Sequence, residues 1–279
     1  MKNNRLTVLL AAASAFALIL TGCGNAQASP ASASKTKIVI ATSGSPNPFS
    51  YVDENKNITG YDVEIVKAVM GKLPQYEYSI ETADFGAIFG GLDSDRYQIG
   101  VNNFSYNKER AEKYLYSTPI FKDAYVVAVA KNNTDINSFQ DLPGKTTEVD
   151  ANTAYATALQ DYNSQHKEKP INIQYYSDVD LVEILRHVTD GKADFQLIDE
   201  PMYENYMKEY SLDLKSVKLS DEESNLIATP YSYILTAKSQ PKLSEDINAV
   251  LPELVKDKTI EKISEKFFNG SDYTPYDKY

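Results

Sequence analysis

The segment NNFSYNKER, residues 102–110, places two bases, an acid, amides and hydroxyls directly after a short apolar stretch. An arginine guanidinium can bind a carboxylate through two parallel, charge-assisted hydrogen bonds, and Arg110 is the arginine of this segment. Asn107 is placed to cap a short helix with Arg110 near its third position, and Ser105 and the helix N–H groups would add donors for an anion. The segment therefore predicts either a carboxylate-binding site or a plain strand–helix joint in which Arg110 forms a surface ion pair, for example with Glu109.

The chain carries none of the common catalytic motifs. It contains no GxSxG, P-loop, GxGxxG or HExxH sequence. Its two histidines, His166 and His187, stand at polar positions without a His or Cys partner at metal-ligand spacing. The acidic run at residues 221–223 is interpreted as solvated surface. We therefore expect no metal ion, no cofactor and no enzymatic activity.

The charge balance restricts the class of partner. The chain has 279 residues, and its 28 Lys and Arg against 39 Asp and Glu give a formal net charge of −11. Binding to nucleic acid needs a basic surface, so we expect no nucleic-acid partner. The length is sufficient for one large domain or for two lobes of ordinary size after a leader segment is removed.

The first residues have the pattern of an export signal. Lys2 and Arg5 precede an uninterrupted apolar run at residues 6–20, which is short for a membrane span. The sequence LTGC that follows resembles the bacterial lipobox, in which the signal is cut before a cysteine that is then acylated. We expect a signal peptide at residues 1–22, lipid (palmitate) attachment at Cys23 and a flexible Ala/Ser-rich tether from there to residue 36. The alternative is an ordinary secretory signal in which the cysteine has no lipid. Because Cys23 is the only cysteine, an intrachain disulfide is excluded in either case.

Strand and helix patterns alternate through the rest of the chain. Apolar runs predict strands at residues 37–41, 76–80, 99–101, 124–130, 146–149, 171–175, 194–198 and 231–237, and a small hairpin within 49–58. Helical spacing predicts helices at residues 62–73, 84–92, 107–113, 153–162, 178–189, 203–208, 243–255 and 259–268. This order predicts two α/β units with a cleft between them, and ligands of such sheets collect at the carboxyl ends of strands. The segment 102–110 lies at such an end.

Four segments, in order along the chain, resemble the polar-amino-acid substrate-binding proteins of bacterial ABC importers. They are IVIATSGSPNPFSYVDENKNITGYDVEIVKAV, ADFGAIFGGLDSDRYQIGVNNFSYNKERAEKYLYSTP, KNNTDINSFQDLPGKTTEV and LVEILRHVTDGKADFQLIDEP. The resemblance implies an α/β, two-lobed periplasmic-binding-protein fold of type II, with the ligand cleft between lobes joined by a two-strand hinge. Lobe 1 would comprise residues 37–126 and 230–279, and lobe 2 residues 127–229. Crossings between them are expected near residues 124–130 and 226–231.

The same resemblance implies roles for residues of the first lobe. The family's arginine that holds the α-carboxylate of the ligand falls on Arg110, and its helper hydroxyl falls on Ser105. Asn103 falls at a ligand-contacting position, and Phe85 where an aromatic ring stacks on the ligand. The chain departs from many members in having Ser43 where they have an acidic residue.

In the second lobe the resemblance implies that Asp199 accepts hydrogen bonds from the α-ammonium group. Asn152 and Thr153 fall where backbone N–H groups approach the carboxylate, although this loop lacks the family's usual glycines. Asp150 and Asn47 are candidates for contact with a second amino-acid head group, and the alternative is that both are plain loop residues.

The implied function is the extracytoplasmic substrate-binding component of an ABC importer. It would be a monomer, anchored to the cell membrane by lipid, that closes on a polar amino acid and delivers it to a permease. NNFSYNKER together with SPNPF is similar to cystine-binding members. One alternative is an enzyme on the same fold, such as a cyclohexadienyl dehydratase. An additional adhesin or sensor role is a further possibility.

Overall fold

A computed structural model describes residues 34–176 and 180–279. The predicted signal segment 1–22, the lipidation site Cys23 and the tether as far as residue 33 lie outside the described residues. The described strands are β1 (Thr36–Thr42), β2 (Tyr51–Val52), β3 (Ile58–Thr59), β4 (Tyr76–Thr82), β5 (Ile99–Ser105), β6 (Tyr114–Tyr116), β7 (Phe121–Lys122), β8 (Tyr125–Ala130), β9 (Thr146–Asp150), β10 (Asn172–Tyr176), β11 (Phe195–Asp199), β12 (Leu214–Lys218) and β13 (Tyr231–Ala237).

The described α-helices are α1 (Tyr61–Gly71), α2 (Phe85–Asp93), α3 (Lys108–Lys113), α4 (Ala154–Gln165), α5 (Leu181–Thr189), α6 (Glu200–Tyr210), α7 (Asp221–Ile227), α8 (Pro241–Lys256) and α9 (Thr259–Phe267). In this part of the chain no helix is both long enough and apolar enough to cross a membrane.

The first sheet has the strand order β4-β1-β5-β13-β6, with β7 also paired to β13. Strands β4, β1 and β5 are parallel, and β13 runs antiparallel to β5. Alternate side chains of β1 enter two different cores. Ile38 and Ile40 join the cluster of α1, α8 and α9, while Ala41 joins the cluster that contains Ile88 of α2. Helices therefore cover both faces of this sheet, as the alternating pattern predicts.

The second sheet has the order β11-β8-β12, and a separate parallel pair joins β10 to β9. Strand β8, YVVAVA, is buried on both faces, which explains its continuous apolar sequence. Val127 and Val129 pack with the residues of α4, and Val126 and Ala128 with those of α5 and α6. The predicted mixed α/β fold is confirmed.

Two neighbouring segments connect the two sheets. The chain leaves the first sheet after β7, enters the second at β8, and returns from α7 to β13. The backbone N–H of Asp123 in the outgoing segment donates a 2.8 Å hydrogen bond to the carbonyl of Pro230 in the returning one. The crossings thus lie side by side, within one compact unit formed by residues 35–279.

The structure corrects the sequence prediction at several elements. Strand β5 continues to Ser105 rather than ending at residue 101, because β13 pairs with it as far as Ser232↔Ser105. The sequence prediction missed four elements, which are β6, β7, β12 and α7. Short strands such as LKSVK in β12 gain strand geometry only from a pairing partner, so their own residues do not predict them. The first turn predicted for α5, from residue 178, lies partly outside the described residues.

Candidate ligand-binding site

A cavity of about 340 Å³ opens between the first and second sheets, within the size range of small-molecule sites. Carboxyl ends of β5 and β11 and the N-terminal ends of α2 and α4 meet there. Its lining residues are Ser43, Ser45, Pro46, Asp84, Phe85, Asn102, Asn103, Phe104, Ser105, Arg110, Asp123, Tyr125, Val149, Asp150, Thr153, Ala154, Tyr155, Tyr176, Leu181, Gln196, Leu197, Ile198, Asp199 and Met202. Six of the eight predicted ligand-binding residues belong to this lining, and Asn47 and Asn152 do not.

Arg110 reaches the cavity from the six-residue helix α3. The Asn107 side chain caps this helix by accepting the Arg110 backbone N–H at 3.0 Å, as the sequence predicts. The guanidinium carbon lies 4.8 Å from the ring centre of Phe89 and 5.8 Å from that of Phe104, positions favourable for cation–π attraction. Burial lowers the pKa of Arg110 from its usual value.

The predicted alternative of a surface ion pair at Arg110 is not observed. Within residues 34–176 and 180–279, no carboxylate lies within salt-bridge distance of its guanidinium. Instead, Nη2 of Arg110 donates to the backbone carbonyl of Asn152, on the other side of the cavity. The guanidinium therefore keeps donors for a further acceptor in the cavity.

An aromatic floor lies beside Arg110. The ring of Phe85, at the start of α2, lies 5.5 Å from that of Phe89 and 5.7 Å from that of Phe104. Phe85 is only partly buried, so one part of its ring remains available inside the cavity. Ser105, the last residue of β5, is also partly buried and lies at the same edge of the sheet.

Asn102 positions the loop after β1. Its side-chain Oδ1 accepts hydrogen bonds from Thr42 Oγ1 at 3.0 Å, from the Ser43 N–H at 2.8 Å and from Ser43 Oγ at 2.7 Å. The residue is 5% exposed, and its three donors all belong to this one loop. Asn102 therefore has a structural role, because it holds the end of β1 and the start of the loop that follows it.

Asn103 connects the two sides of the cavity. Its backbone has φ 49°, a left-handed value that asparagine tolerates better than most residues. Its backbone N–H donates to Asp62 Oδ2, and its side-chain Nδ2 donates to Asp199 Oδ2 at 3.0 Å. Its own Oδ1 is buried without a hydrogen-bond partner among the described residues.

Three buried carboxyl groups lie around this connection. Asp199 ends β11, Asp62 lies in the first turn of α1, and Asp123 lies between β7 and β8. Burial raises the pKa of Asp62 to about 7, the charge of Asp199 adds to this, and the Asn103 N–H opposes it. Gly60 permits this placement of Asp62, because its φ of 123° and its contact with the Phe49 backbone exclude a side chain.

The second-sheet side of the cavity differs in part from the sequence prediction. Thr153 lines the cavity, but its hydroxyl caps α4 by accepting the Ala156 N–H at 3.3 Å and donates to the Asp150 carbonyl at 2.8 Å. The Asn152 side chain bonds to Asp150 Oδ1 at 3.1 Å, so Asn152 faces the site through its carbonyl. Asn47 lies outside the lining, with Nδ2 3.4 Å from Glu209 Oε2.

Several lining residues were missed by the sequence reasoning. Asp123 is only 8% exposed although it stands beside Lys122 in a short polar pair, so no local signal marks it. Tyr125 and Tyr155 form an edge-on ring pair with centres 6.1 Å apart, and Tyr125 was read as one residue of an apolar strand. A tyrosine at a buried strand position needs a polar partner for its hydroxyl group. This requirement could have marked Tyr125 in the sequence as a candidate site residue. Among the described residues, no cluster of three His, Cys, Asp or Glu side chains is arranged to hold a metal ion.

The chain is similar to known proteins whose names agree that they bind amino acids. The chain is 31% identical over 275 residues to a probable amino-acid-binding protein, YxeM, of Bacillus subtilis, covering 96% of this chain and 97% of that protein. It is 27% identical over 272 residues to the L-cystine-binding protein TcyJ of Bacillus subtilis, covering 97% of each. These relatives are substrate-binding proteins rather than enzymes.

A solved chain from a study of glutathione import in Gram-positive bacteria, through GshT and the cystine ABC importer TcyBC of Streptococcus mutans, has the same fold. It matches with a TM-score of 0.81 and 35% identity, covering 88% of this chain and 100% of that chain. This match confirms the predicted type II periplasmic-binding-protein fold. The family model of bacterial extracellular solute-binding proteins, family 3, matches residues 38–270. The chain therefore belongs to family 3 of the bacterial extracellular solute-binding proteins.

Proposed function

We propose that this protein captures an amino acid outside the cytoplasm and delivers it to the permease of an ABC importer. The observation that carries the proposal is the presence of Arg110 and Asp199 in one cavity, one from each side. A free amino acid has a carboxylate and an ammonium group on one carbon. A guanidinium and a carboxylate facing the same space are complementary to that pair of charges.

Arg110 and Ser105 bind the α-carboxylate in this proposal, and Phe85 packs against the ligand. The guanidinium is held over Phe89, so little rotational freedom is lost when it binds a carboxylate. Asp199 accepts from the α-ammonium, and Asn103 contributes from the first side. The backbone N–H groups of Asn152 and Thr153 donate to Asp150 at 2.8 and 3.1 Å, so in this proposal they reach the ligand carboxylate only by exchanging those bonds.

The charge of the cavity favours a ligand with more than one ammonium group. Among the described residues, the ionisable acids of the lining are Asp84, Asp123, Asp150 and Asp199, against Arg110 as its one base. L-Cystine, with two amino-acid head groups, offers two ammonium groups to these carboxylates while remaining neutral overall, and the L-cystine-binding relative supports it. Glutathione is the second candidate, supported by the 35% identity to the chain from the glutathione-import study. It carries one ammonium and two carboxylates and so fits the acidic lining less well.

Capture proceeds by closure of two lobes, 37–126 with 230–279 and 127–229, around the crossings beside Asp123 and Pro230. Ligand contacts that exist only when both lobes meet stabilise the closed form by differential binding. The protein acts as a monomer. Cys23 carries a lipid after removal of residues 1–22, and it anchors the protein to the outer face of the cell membrane.

A thermal-shift screen with all common amino acids, L-cystine and glutathione tests the proposal. A ligand that binds only the folded state raises the melting temperature, and the rise increases with the ratio of ligand concentration to Kd. We expect the largest shift with L-cystine. A larger shift with glutathione would favour the second candidate, and no shift with any compound would contradict amino-acid capture.

A further inference from the structure

The carboxyl groups of Asp123 and Asp199 are held together by backbone pairing. Strands β8 and β11 place Asp199 opposite Tyr125, and the Glu200 N–H donates to the Ala124 carbonyl at 2.7 Å. Both strands belong to the second sheet, so this proximity does not depend on how the two sheets sit around the cavity. The two side chains are 8% and 3% exposed.

Asp123 and Asp199 both line the cavity, and the pairing of β8 with β11 brings their buried carboxyl groups to the same part of it. Two buried carboxylates that share a site repel each other when both are ionised, and a proton on one of them removes that repulsion and can be donated to the other. Burial, followed by the negative charge of Asp199, raises the pKa of Asp123 well above its ordinary value. Burial also raises the pKa of Asp199, but the hydrogen bond that Asp199 accepts from the Asn103 amide opposes this, which favours Asp123 as the residue that carries the proton.

The neighbours of the pair are acidic or neutral. The groups that face it are Asp62 from α1, Tyr125 from β8, Tyr155 from α4 and Tyr273 near the C-terminus. In the described part of the chain, no lysine, arginine or histidine forms a salt bridge with Asp62, Asp123 or Asp199. A proton is therefore the only positive charge that these side chains supply to the pair.

An ammonium group has three N–H donors, and this corner of the cavity offers three acceptors. They are the carboxylate of Asp199, the carboxyl of Asp123 and the buried, unpartnered Oδ1 of Asn103. The third acceptor belongs to the amide that also donates to Asp199, and among the described residues no donor reaches it. Asp123 can serve as an acceptor in full only after it has lost its proton.

We propose that the unliganded protein holds one proton between Asp123 and Asp199 and releases it when a ligand ammonium binds there. The O–H bond of Asp123 breaks, the proton passes to a base in the solvent, and an N–H of the ammonium replaces it beside Asp199. This inference rests on the proposed function in assigning the ammonium to Asp199. It makes ligand capture depend on pH, with affinity falling by up to about tenfold for each pH unit of acidification while the pair is protonated in the free protein.

Titration calorimetry with L-cystine at pH 7 measures the proton directly. In two buffers of different ionisation enthalpy, phosphate and Tris, we expect the observed enthalpies to differ by the amount that release of about one proton requires. Asp123→Asn keeps the acceptor for the Ala124 N–H and should bind more weakly without any buffer dependence. Asp161→Asn, an exposed change on α4, should behave as wild type. Binding with the same enthalpy in both buffers would overturn the inference while leaving the proposed function intact.

A measurement without ligand separates the two proposals. Infrared spectra of the unliganded protein at pH 7 should contain a protonated-carboxyl C=O band that shifts in D₂O and is weakened in Asp123→Asn but not in Asp161→Asn. Absence of such a band in the wild type overturns the proton on the pair, whatever the variants do. Failure of L-cystine and of every other amino acid to bind, with the band present, contradicts the proposed function instead.

Discussion

The side-chain amide of Asn103 donates a 3.0 Å hydrogen bond to Asp199, and this bond joins the first sheet to the second across the cavity. The backbone N–H of the same residue donates to Asp62, which is fully buried. Asn103 makes both bonds from a left-handed backbone conformation, with φ 49°, within a strand. One residue therefore sets the position of two carboxyl groups at the site.

The conformation of Asn103 leads to a prediction about stability. Asn103→Gly adopts φ 49° without strain, whereas Asn103→Ala must hold a left-handed conformation that costs an L-residue about 1–2 kcal/mol. Both variants lack the side-chain amide, so their difference isolates the backbone. We expect urea denaturation to give a free energy of unfolding about 1 kcal/mol lower for Asn103→Ala than for Asn103→Gly. Equal values would show that the left-handed conformation is not maintained.

Replacement of Arg110 tests the carboxylate site. Truncating one member of a buried charge pair costs about 2–5 kcal/mol, so Arg110→Ala should weaken amino-acid binding on the order of 100-fold or more. Arg110→Lys keeps the charge but not the two-pronged geometry and should be intermediate. The control is Arg96→Ala, whose side chain is 69% exposed, pairs with Glu81 at 3.7 Å and lies 5.0 Å from the ring centre of Tyr97. Calorimetry that finds near-native affinity in Arg110→Ala would remove Arg110 from the site.

Two adjacent glycines of α2 provide a matched pair of substitutions. A Cβ at Gly91 would overlap the ring of Tyr97, while a Cβ at Gly90 meets nothing within 4 Å. Gly91→Ala should lower the free energy of unfolding by about 1–3 kcal/mol through overpacking. Gly90→Ala should raise it by about 0.5–1 kcal/mol, because alanine loses less backbone freedom in a helix. Because α2 carries Phe85, we also expect only Gly91→Ala to weaken ligand binding; similar unfolding curves for the two variants would contradict this packing.

The buried carboxyl of Asp62 predicts a pH dependence of stability. Its pKa is about 7 in the folded protein against 3.8 for an ordinary aspartate, so the folded state binds the proton more strongly than the unfolded state. The resulting stabilisation is fully present below about pH 4 and is lost as the pH rises through about 7. Asp62→Asn removes this loss, so its stability relative to wild type should increase over that interval, by at most about 1.4 kcal/mol per pH unit. Chemical denaturation at several pH values, with Asp161→Asn as control, measures the difference; a constant difference would rule out titration of Asp62.

Cys23 is the only cysteine of the chain, so its replacement removes the one thiol to which the proposed lipid could be attached. In the native bacterium, Cys23→Ala should move the protein from the membrane fraction to the soluble extracytoplasmic fraction, because the proposal assigns membrane attachment to the lipid on Cys23. High-salt washing of membranes distinguishes the lipid anchor from charge-mediated adhesion. Retention of Cys23→Ala on washed membranes would contradict lipid anchoring.

Local sequence patterns predicted most of the elements correctly. Helical spacing indicated α1, α2, α4, α8 and α9, and the cap at Asn107 with Arg110 three residues later was confirmed. These features depend on residues close together in the chain, so the sequence contains the information that decides them. The weak strands β6, β7 and β12 were missed because their strand conformation depends on partners far along the chain.

By itself, the sequence determined the α/β class, the family resemblance and the candidates Arg110 and Asp199. Only the tertiary structure decided what surrounds them: that β5 continues through Asn103, and that Asp62 and Asp123 lie near Asp199. The physical reason is that burial and carboxyl–carboxyl proximity are properties of chain segments brought together by sheet pairing. Asp123 and Asp199 are distant in sequence, and their shared environment exists only once β8 and β11 pair.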